Sequence, residues 1–257
     1  MKQYIVLVIF IFWFSYYLLT EYNKRSDFKD AYNSTKQELL TQKNPTYIPS
    51  KTIYADEITS EDKIVHVQKT EKVHLDVQFY PQSPFGKWWP IFEDTCEEAS
   101  VLIAINYMRW KTMTRTQFRD ELLNIVDWEN KTFGYYKDTG VNDTAIILKD
   151  YFNFLDYKIL ENPSIDDIKY ELSQKNIIIS PFFASNLNPN YSWSWPDYHF
   201  MVITGYTKDS FITHDVWTKQ WEDYYYNQNT LYNRIHDFDP IDIENWPKRL
   251  IVLKNKD

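Results

Sequence analysis

The chain divides into three stretches by its pattern of apolar and polar positions. Residues 3–20, QYIVLVIFIFWFSYYLLT, carry no charged side chain. Residues 21 to about 70 are polar and mixed in charge, without a sustained helical or strand period. From about residue 74 onward, apolar positions recur with the periods of helices and strands, which is typical of a globular domain. The pattern therefore predicts an apolar segment at 1–20, a linker at 21–72 and a folded domain at 73–257.

The apolar segment is long enough to cross a membrane. As a helix, residues 3–20 would span roughly 27 Å, close to the hydrocarbon thickness of a bilayer. No Ala-x-Ala-like site follows the run, which argues against the alternative of a cleaved signal peptide. Apolar character on every face argues against a buried soluble helix. We therefore predict an uncleaved single-pass anchor in the cell membrane.

The orientation of this anchor is weakly encoded. Lys2 precedes the apolar segment, whereas Lys24, Arg25 and Lys29 follow it. Positive charge therefore lies on both sides of the segment, and the positive-inside rule barely decides between the two orientations. We expect a cytoplasmic N-terminus and an extracytoplasmic domain.

The first half of the domain is predicted to be mainly helical. HLDVQFY alternates and predicts a strand, which a loop then follows. Asp94 and Glu97 form a capping-box pattern that opens the strongly apolar helix TCEEASVLIAINYMRW. Similar boxes begin at Thr114 and Ser164, ahead of TQFRDELLNIV and IDDIKYELSQ. Between these two helices, DTAIILKDYFNF predicts a further one.

The second half is predicted to be mainly strands. IIISPFF is a continuous apolar run, and YHFMVITGY, FITHD and RLIVLK follow it. Helices first and strands later are typical of an α+β domain.

Charge and cysteine content exclude several classes of function. The formal charge is −8 at pH 7, so phosphate backbones are repelled and nucleic acid is an unsuitable partner. One cysteine excludes an internal disulfide and a cysteine-based zinc cluster. There is no His-Glu-x-x-His motif, and HDFDPIDIE lacks the glycine and spacing of a calcium loop. We expect neither a metal nor a cofactor.

Cys96 is a candidate nucleophile because it lies in the first turn of a predicted helix. With Asp94 as N-cap, it is the second helical residue. Unpaired N–H groups and the helix dipole favour an anion there, so we expect a lowered thiol pKa. Glu97 and Glu98 act against this electrostatically. The alternative is that Cys96 is a small apolar residue at the edge of the core.

A thiol hydrolase also needs a histidine base, for which His199 and His214 are the candidates. His199 begins the strand HFMVITGY, and His214 ends FITHD beside Asp215. Only TKDS separates the two strands, which predicts a hairpin. Neighbouring strands lie about 4.8 Å apart, so Asp215 could fix the tautomer of His199. Alternatively, His199 is a strand-edge residue and Asp215 a turn former.

Three tryptophans flank these positions. Trp193, Trp195 and Trp217 could line a substrate cleft by stacking on extended peptide or glycan. Core packing is an equally valid interpretation.

Four segments together resemble a known family. They are QSPFGKW, DTCEEAS, DYHFMVITGY and FITHD. From about residue 74 to about residue 237, the chain resembles stand-alone bacterial proteins related to the double-glycine leader peptidases of bacteriocin exporters, which are cysteine peptidases of family thirty-nine. The resemblance implies a papain-like fold. It also implies roles for four residues: Cys96 as the nucleophile, His199 as the base, Asp215 as the group that orients it, and Gln82 as an oxyanion donor.

The resemblance and the apolar segment together suggest a membrane-anchored cysteine peptidase or amidase. Its partner would be a peptide or amide substrate, and its intermediate a thioester. Two alternatives remain open. One is a catalytically silent domain that binds peptide at the cell surface, and the other is a thiol acyltransferase with the same triad.

Overall fold

The computed structural model of the protein describes residues 71–88, 91–191, 196–239 and 242–255. All of them fall within one compact unit of the chain. The predicted anchor at 1–20 lies outside the described residues, as do nearly all of the predicted linker, Trp193 and Trp195. No helix in the described ranges is long and apolar enough to cross a membrane.

The helices begin close to where the sequence pattern placed them. In chain order they are α1 (Cys96–Met108), α2 (Arg115–Thr132), α3 (Val141–Ile146), α4 (Ile165–Ser173) and α5 (Gln228–Arg234). A π-helical turn, Ile147–Tyr151, follows α3 and completes the predicted helix DTAIILKDYFNF. The capping boxes predicted at Thr114 and Ser164 are both present. The short α5 was not predicted.

The strands form one antiparallel sheet. They are β1 (Val73–His74), β2 (Tyr157–Glu161), β3 (Ile177–Phe183), β4 (Tyr198–Tyr206), β5 (Ser210–His214), β6 (Tyr224–Asn227) and β7 (Arg249–Leu253). Their order is β2-β7-β3-β4-β5-β6, and β1 pairs with the end of β4. The α+β expectation is thereby confirmed for the described residues.

The predicted strand HLDVQFY is wrong beyond its first residue. Leu75 and Val77 are buried, so the alternation in the sequence is real, but only Val73–His74 pair with β4. From Ile203 back to Tyr198, β3 already occupies that edge of β4. The segment instead bonds to the loop after α1, where the Tyr80 hydroxyl donates to the Met113 carbonyl at 2.6 Å.

Gly205 makes the short β1–β4 pairing possible. A Cβ at this position would lie 2.3 Å from the backbone oxygen of Val73, well inside van der Waals contact. The β4–β5 register also shifts between Ile203 and Gly205.

Helix α1 is the central element of the core. Every residue from Cys96 to Asn106 is buried, as suits its strongly apolar sequence. It packs against β3 and β4 on one side and against α2 and α3 on the other. The first turn of a buried helix thus meets the start of a buried strand, and the candidate residues lie at that junction.

Candidate active site

Cys96 is the first residue of α1. A short 3₁₀ turn, Phe92–Asp94, precedes it, and Thr95 is the N-cap without a side-chain capping bond. The capping box predicted at Asp94 is therefore wrong, and the helix begins one residue later than expected. The Asp94 carboxylate instead pairs with the ammonium group of Lys137.

The thiol of Cys96 is engaged by its neighbour. Cys96 Sγ donates to Glu97 Oε2 at 3.0 Å, and the residue is only 7% exposed. Burial raises the thiol pKa well above its ordinary value, and the Glu97 carboxylate raises it further. A hydrogen bond from the backbone of Phe200 acts in the opposite direction. The expected lowering of the thiol pKa is thus wrong for this conformation, because desolvation and a carboxylate outweigh the helix N-terminus.

His199 and Asp215 are in direct contact. His199 Nε2 lies 2.9 Å from Asp215 Oδ1, and neither side chain is exposed to solvent. The predicted hairpin is present: Val202 pairs with His214, so the chain beyond β5 runs alongside the start of β4. Since Nε2 faces the carboxylate, His199 Nδ1 is the nitrogen available for a reacting proton. It is buried and has no hydrogen-bond partner among the described residues.

Asp215 is held by more groups than the sequence suggested. Its Oδ2 accepts hydrogen bonds from the hydroxyls of Tyr191 at 2.9 Å and Tyr226 at 2.7 Å. Its Oδ1 also accepts from the backbone N–H of Trp217 at 3.2 Å. No sequence pattern pointed to these tyrosines, because one lies in a loop and the other on a strand that was not predicted.

The thiol and the imidazole are not joined in this conformation. Cys96 Sγ faces Glu97, whereas His199 Nδ1 has no described partner. The backbone N–H of Phe200, the residue after His199, nevertheless acts on the Cys96 thiol. A thiol–imidazole contact therefore requires the Cys96 side chain to turn away from Glu97.

Gln82 lies against the segment that leads into α1. Its side chain is fully buried, and its Nε2 donates to the carbonyls of Phe92 and Glu93, each at 3.0 Å. Its backbone N–H donates to the Val216 carbonyl at 2.8 Å, which links it to the turn after Asp215. In this conformation both amide hydrogens are used on loop carbonyls, and Gln82 Oε1 has no described partner.

His214, the other candidate base, uses both ring nitrogens in hydrogen bonds to the backbone. Its Nε2 donates to the Val77 carbonyl at 2.8 Å, and its Nδ1 accepts from the backbone N–H of Asp223 at 3.2 Å. Burial lowers the pKa of its imidazole, which favours the neutral form. Both ring nitrogens are thus occupied, Nε2 by the segment that follows β1 and Nδ1 by the residue that precedes β6.

Aromatic rings surround His199. Trp217, which the sequence singled out, lies edge-on to the imidazole with ring centroids 5.9 Å apart. It packs in turn against Trp88 at 4.9 Å, and both are half-buried. Tyr191 also meets the imidazole edge-on, at 6.1 Å. In the described ranges, no group of three His, Cys, Asp or Glu side chains could hold a metal ion.

Known proteins resemble this chain in sequence and in fold. The model of the Peptidase C39-like family matches residues 74–238, a range that includes all four candidate residues. Among solved structures, a chain described as a C39-like peptidase from Bacillus anthracis is similar to this one with a TM-score of 0.50 and 13% identity. That similarity covers 73% of this chain and 100% of the other. No curated protein matches.

Proposed function

Because this chain belongs to the Peptidase C39-like family, we propose that it is a papain-like cysteine peptidase or amidase with Cys96 as its nucleophile. The observation that carries the proposal is the contact between His199 and Asp215, 2.9 Å apart and fully buried. Burying a histidine and a carboxyl group together contributes little net stability, so catalysis explains the contact better than structure does. The contact orients the imidazole with Nδ1 free to accept a proton, as a thiol hydrolase requires.

The proposed reaction is covalent. His199 removes the thiol proton of Cys96, and the sulfur attacks the substrate carbonyl to form a tetrahedral oxyanion. The backbone N–H of Cys96 and the side-chain amide of Gln82 stabilise this oxyanion. The imidazolium then protonates the leaving amine, which leaves a thioester. His199 next takes a proton from water, whose oxygen attacks the thioester, and the acid product leaves as the thiol is restored.

Two side chains must move for this mechanism to operate. Cys96 Sγ must turn from Glu97 Oε2 toward His199 Nδ1. One amide hydrogen of Gln82 must be released from the carbonyl of Phe92 or Glu93. Catalytic hydrogen bonds are often incomplete until substrate is bound.

The raised thiol pKa favours a second candidate function. A domain whose cysteine stays protonated, and separate from the histidine, would bind peptide without cleaving it. The half-buried pair of Trp88 and Trp217 beside His199 suits either function, since aromatic faces stack on extended ligands.

We also propose that residues 1–20 anchor the domain to the cell membrane, with the domain on the extracytoplasmic side. The support is the uncharged run at 3–20, whose length as a helix matches a bilayer.

A peptidyl electrophile tests the proposed chemistry. A peptidyl chloromethyl ketone occupies a peptide site and alkylates an activated thiol, and this chain has one cysteine to label. We expect capture at Cys96 to slow by about 10²-fold or more in His199→Ala, because a positioned acid–base group contributes at least that much. His74→Ala is the matched control, since His74 is 39% exposed and bonds to Asp223 instead of Asp215.

Equal capture rates in the wild type and His199→Ala would contradict catalysis and favour the silent domain. If capture depends on His199, analysis of products from peptide libraries with and without added amines separates hydrolysis from acyl transfer.

A further inference from the structure

The side chain that holds the candidate nucleophile is a carboxyl group, Glu97. In the first turn of a helix, a carboxylate ordinarily accepts from free backbone N–H groups. Glu97 contacts Cys96 Sγ through Oε2, although neighbouring residues of a helix do not normally face each other. Its other oxygen, Oε1, is buried and has no partner among the described residues.

Structural stability alone does not account for this arrangement. Glu97 is 1% exposed, and a buried carboxyl without full hydrogen bonding is destabilising. The contact therefore calls for an explanation in the chemistry of Cys96.

We propose that Glu97 is a positioning residue that holds Cys96 as a protonated thiol, turned away from His199, until substrate releases it. The inference rests on the proposed function, because it concerns the nucleophile of that reaction. The site would thus have two positions of the sulfur, a resting one on Glu97 and a reactive one on His199.

The groups facing Glu97 disfavour negative charge at this position. They therefore favour the resting state in which the Cys96 thiol keeps its proton. Burial raises the pKa of Glu97 well above its ordinary value, and the charges of Glu98 on α1 and Asp138 ahead of α3 raise it further. On the strand side, Tyr198 of β4 has a pKa raised by burial and then by Glu97. The charged groups that act on Glu97 are all acidic, so a thiolate in this position gains no stabilisation from them.

The reactive position is different because an imidazolium would face the sulfur there. An opposite charge favours the thiolate, and the proton passes from Sγ to His199 Nδ1 without any other bond changing. Oxidants attack the thiolate form of cysteine, so a resting thiol on Glu97 also protects the residue between turnovers.

The test compares two neighbouring carboxyl groups in the full-length chain. Glu97→Gln keeps the shape of the side chain and replaces its ionisable carboxyl group with a neutral amide. Glu98→Gln is the matched control, because Glu98 is adjacent and fully buried, while the thiol hydrogen bond goes to Glu97. Alkylation of Cys96 by iodoacetamide, a small neutral reagent, is measured from pH 6 to pH 9.

Glu97→Gln should speed alkylation at pH 7 at least about tenfold, equivalent to a fall of about one unit in the thiol pKa. Glu98→Gln should change the rate less than about threefold. Equal rates in the two variants would overturn the proposal.

A second measurement needs no variant and covers the case in which Glu97→Gln does not fold. Since the chain has one cysteine, the infrared S–H stretching band reports Cys96 alone. The wild type should show this band at pH 7, at the lower frequency of a hydrogen-bonded thiol. A missing band would mean a resting thiolate, and a band at the frequency of a free thiol would mean no contact with Glu97. Either result overturns the proposal.

His199→Ala distinguishes failure of this inference from failure of the proposed function. If Glu97→Gln speeds iodoacetamide labelling but His199→Ala leaves peptidyl capture unchanged, the thiol rests on Glu97 in a domain that is not catalytic. If His199→Ala slows capture but Glu97→Gln changes nothing, the catalytic pair stands and the resting contact is wrong.

Discussion

Four hydrogen-bond donors surround the carboxylate of Asp215, which makes it the most completely bonded residue of the candidate site. They are His199 Nε2, the Trp217 N–H and the hydroxyls of Tyr191 and Tyr226. Several hydrogen bonds to both oxygens fix the direction of a carboxyl group. The orientation of His199 therefore depends on two tyrosines outside the triad.

Removing one of these hydroxyls should weaken the histidine base. We expect Tyr226→Phe to slow peptidyl capture at Cys96 about tenfold, a loss of about 1.4 kcal/mol, because Asp215 loses its 2.7 Å bond. Tyr224→Phe is the control, since Tyr224 lies on the same strand and its ring is 4.7 Å from Tyr226. Comparable slowing in both variants would contradict a role through Asp215.

Gln82 has two separable effects at the residue scale. As an oxyanion donor, its loss in Gln82→Ala should lower turnover by about 10²- to 10³-fold, with little change in substrate affinity. As the donor to the carbonyls of Phe92 and Glu93, its loss should also reduce the free energy of unfolding, by about 1 kcal/mol per bond. Steady-state kinetics and urea unfolding measure the two effects independently.

The iodoacetamide alkylation profile of Cys96 should stay close to the wild type in Gln82→Ala, because the amide is neutral. Near-wild-type turnover together with lower stability would leave Gln82 as a capping residue alone.

At the scale of elements, α1 and α2 meet through two carboxyl groups. Glu98 and Glu129 are both fully buried, and none of their carboxyl oxygens has a hydrogen-bond partner among the described residues. Burial raises the pKa of Glu129 from 4.5 to about 8, and burial together with Glu129 raises that of Glu98 well above its ordinary value. Burial therefore keeps a proton on this pair at neutral pH.

The free energy of unfolding should fall as pH rises from 4.5 to about 8. The folded chain keeps a proton that the unfolded chain releases near pH 4.5, so the folded state binds more protons between pH 4.5 and about 8. The free energy of unfolding should drop by more than about 1 kcal/mol from pH 5 to pH 8, given about 1.4 kcal/mol per pKa unit.

Glu129→Gln should flatten this dependence, because an amide supplies a permanent donor to Glu98. Urea unfolding at the two pH values measures the difference. A dependence that is as steep in the variant as in the wild type would place its origin elsewhere, such as at Asp138.

At the scale of the whole molecule, the described part of the chain is a folded unit with its own buried core. The uninterrupted apolar sequence at 3–20 lies outside that unit. Removing residues 1–20 should therefore give a protein that stays in the supernatant after centrifugation with membranes, whereas the full chain pellets and needs detergent. A truncated protein that still pellets, or a full chain that stays in solution without detergent, would contradict the proposed anchor.

The sequence by itself determined the local elements and one contact of the site. A continuous apolar run defined β3, and a long apolar strand after a short turn defined β4 and its hairpin with β5. The spacing within that hairpin made a contact between His199 and Asp215 geometrically possible, and the two side chains do meet. Side-chain caps at Thr114 and Ser164 set two helix starts, because a capping box depends on residues only three apart.

Only the tertiary structure decided which elements pair and how the site is charged. Tyr157–Glu161 is a strand because β7, far along the chain, lies beside it, whereas HLDVQFY has no free strand edge to join. The pKa of the Cys96 thiol is raised by burial and by Glu97. The position of Cys96 at a helix N-terminus, taken alone, predicted a lowered pKa. A local pattern shows which face of an element is buried. Pairing and desolvation depend on residues distant in sequence, so folding alone determines them.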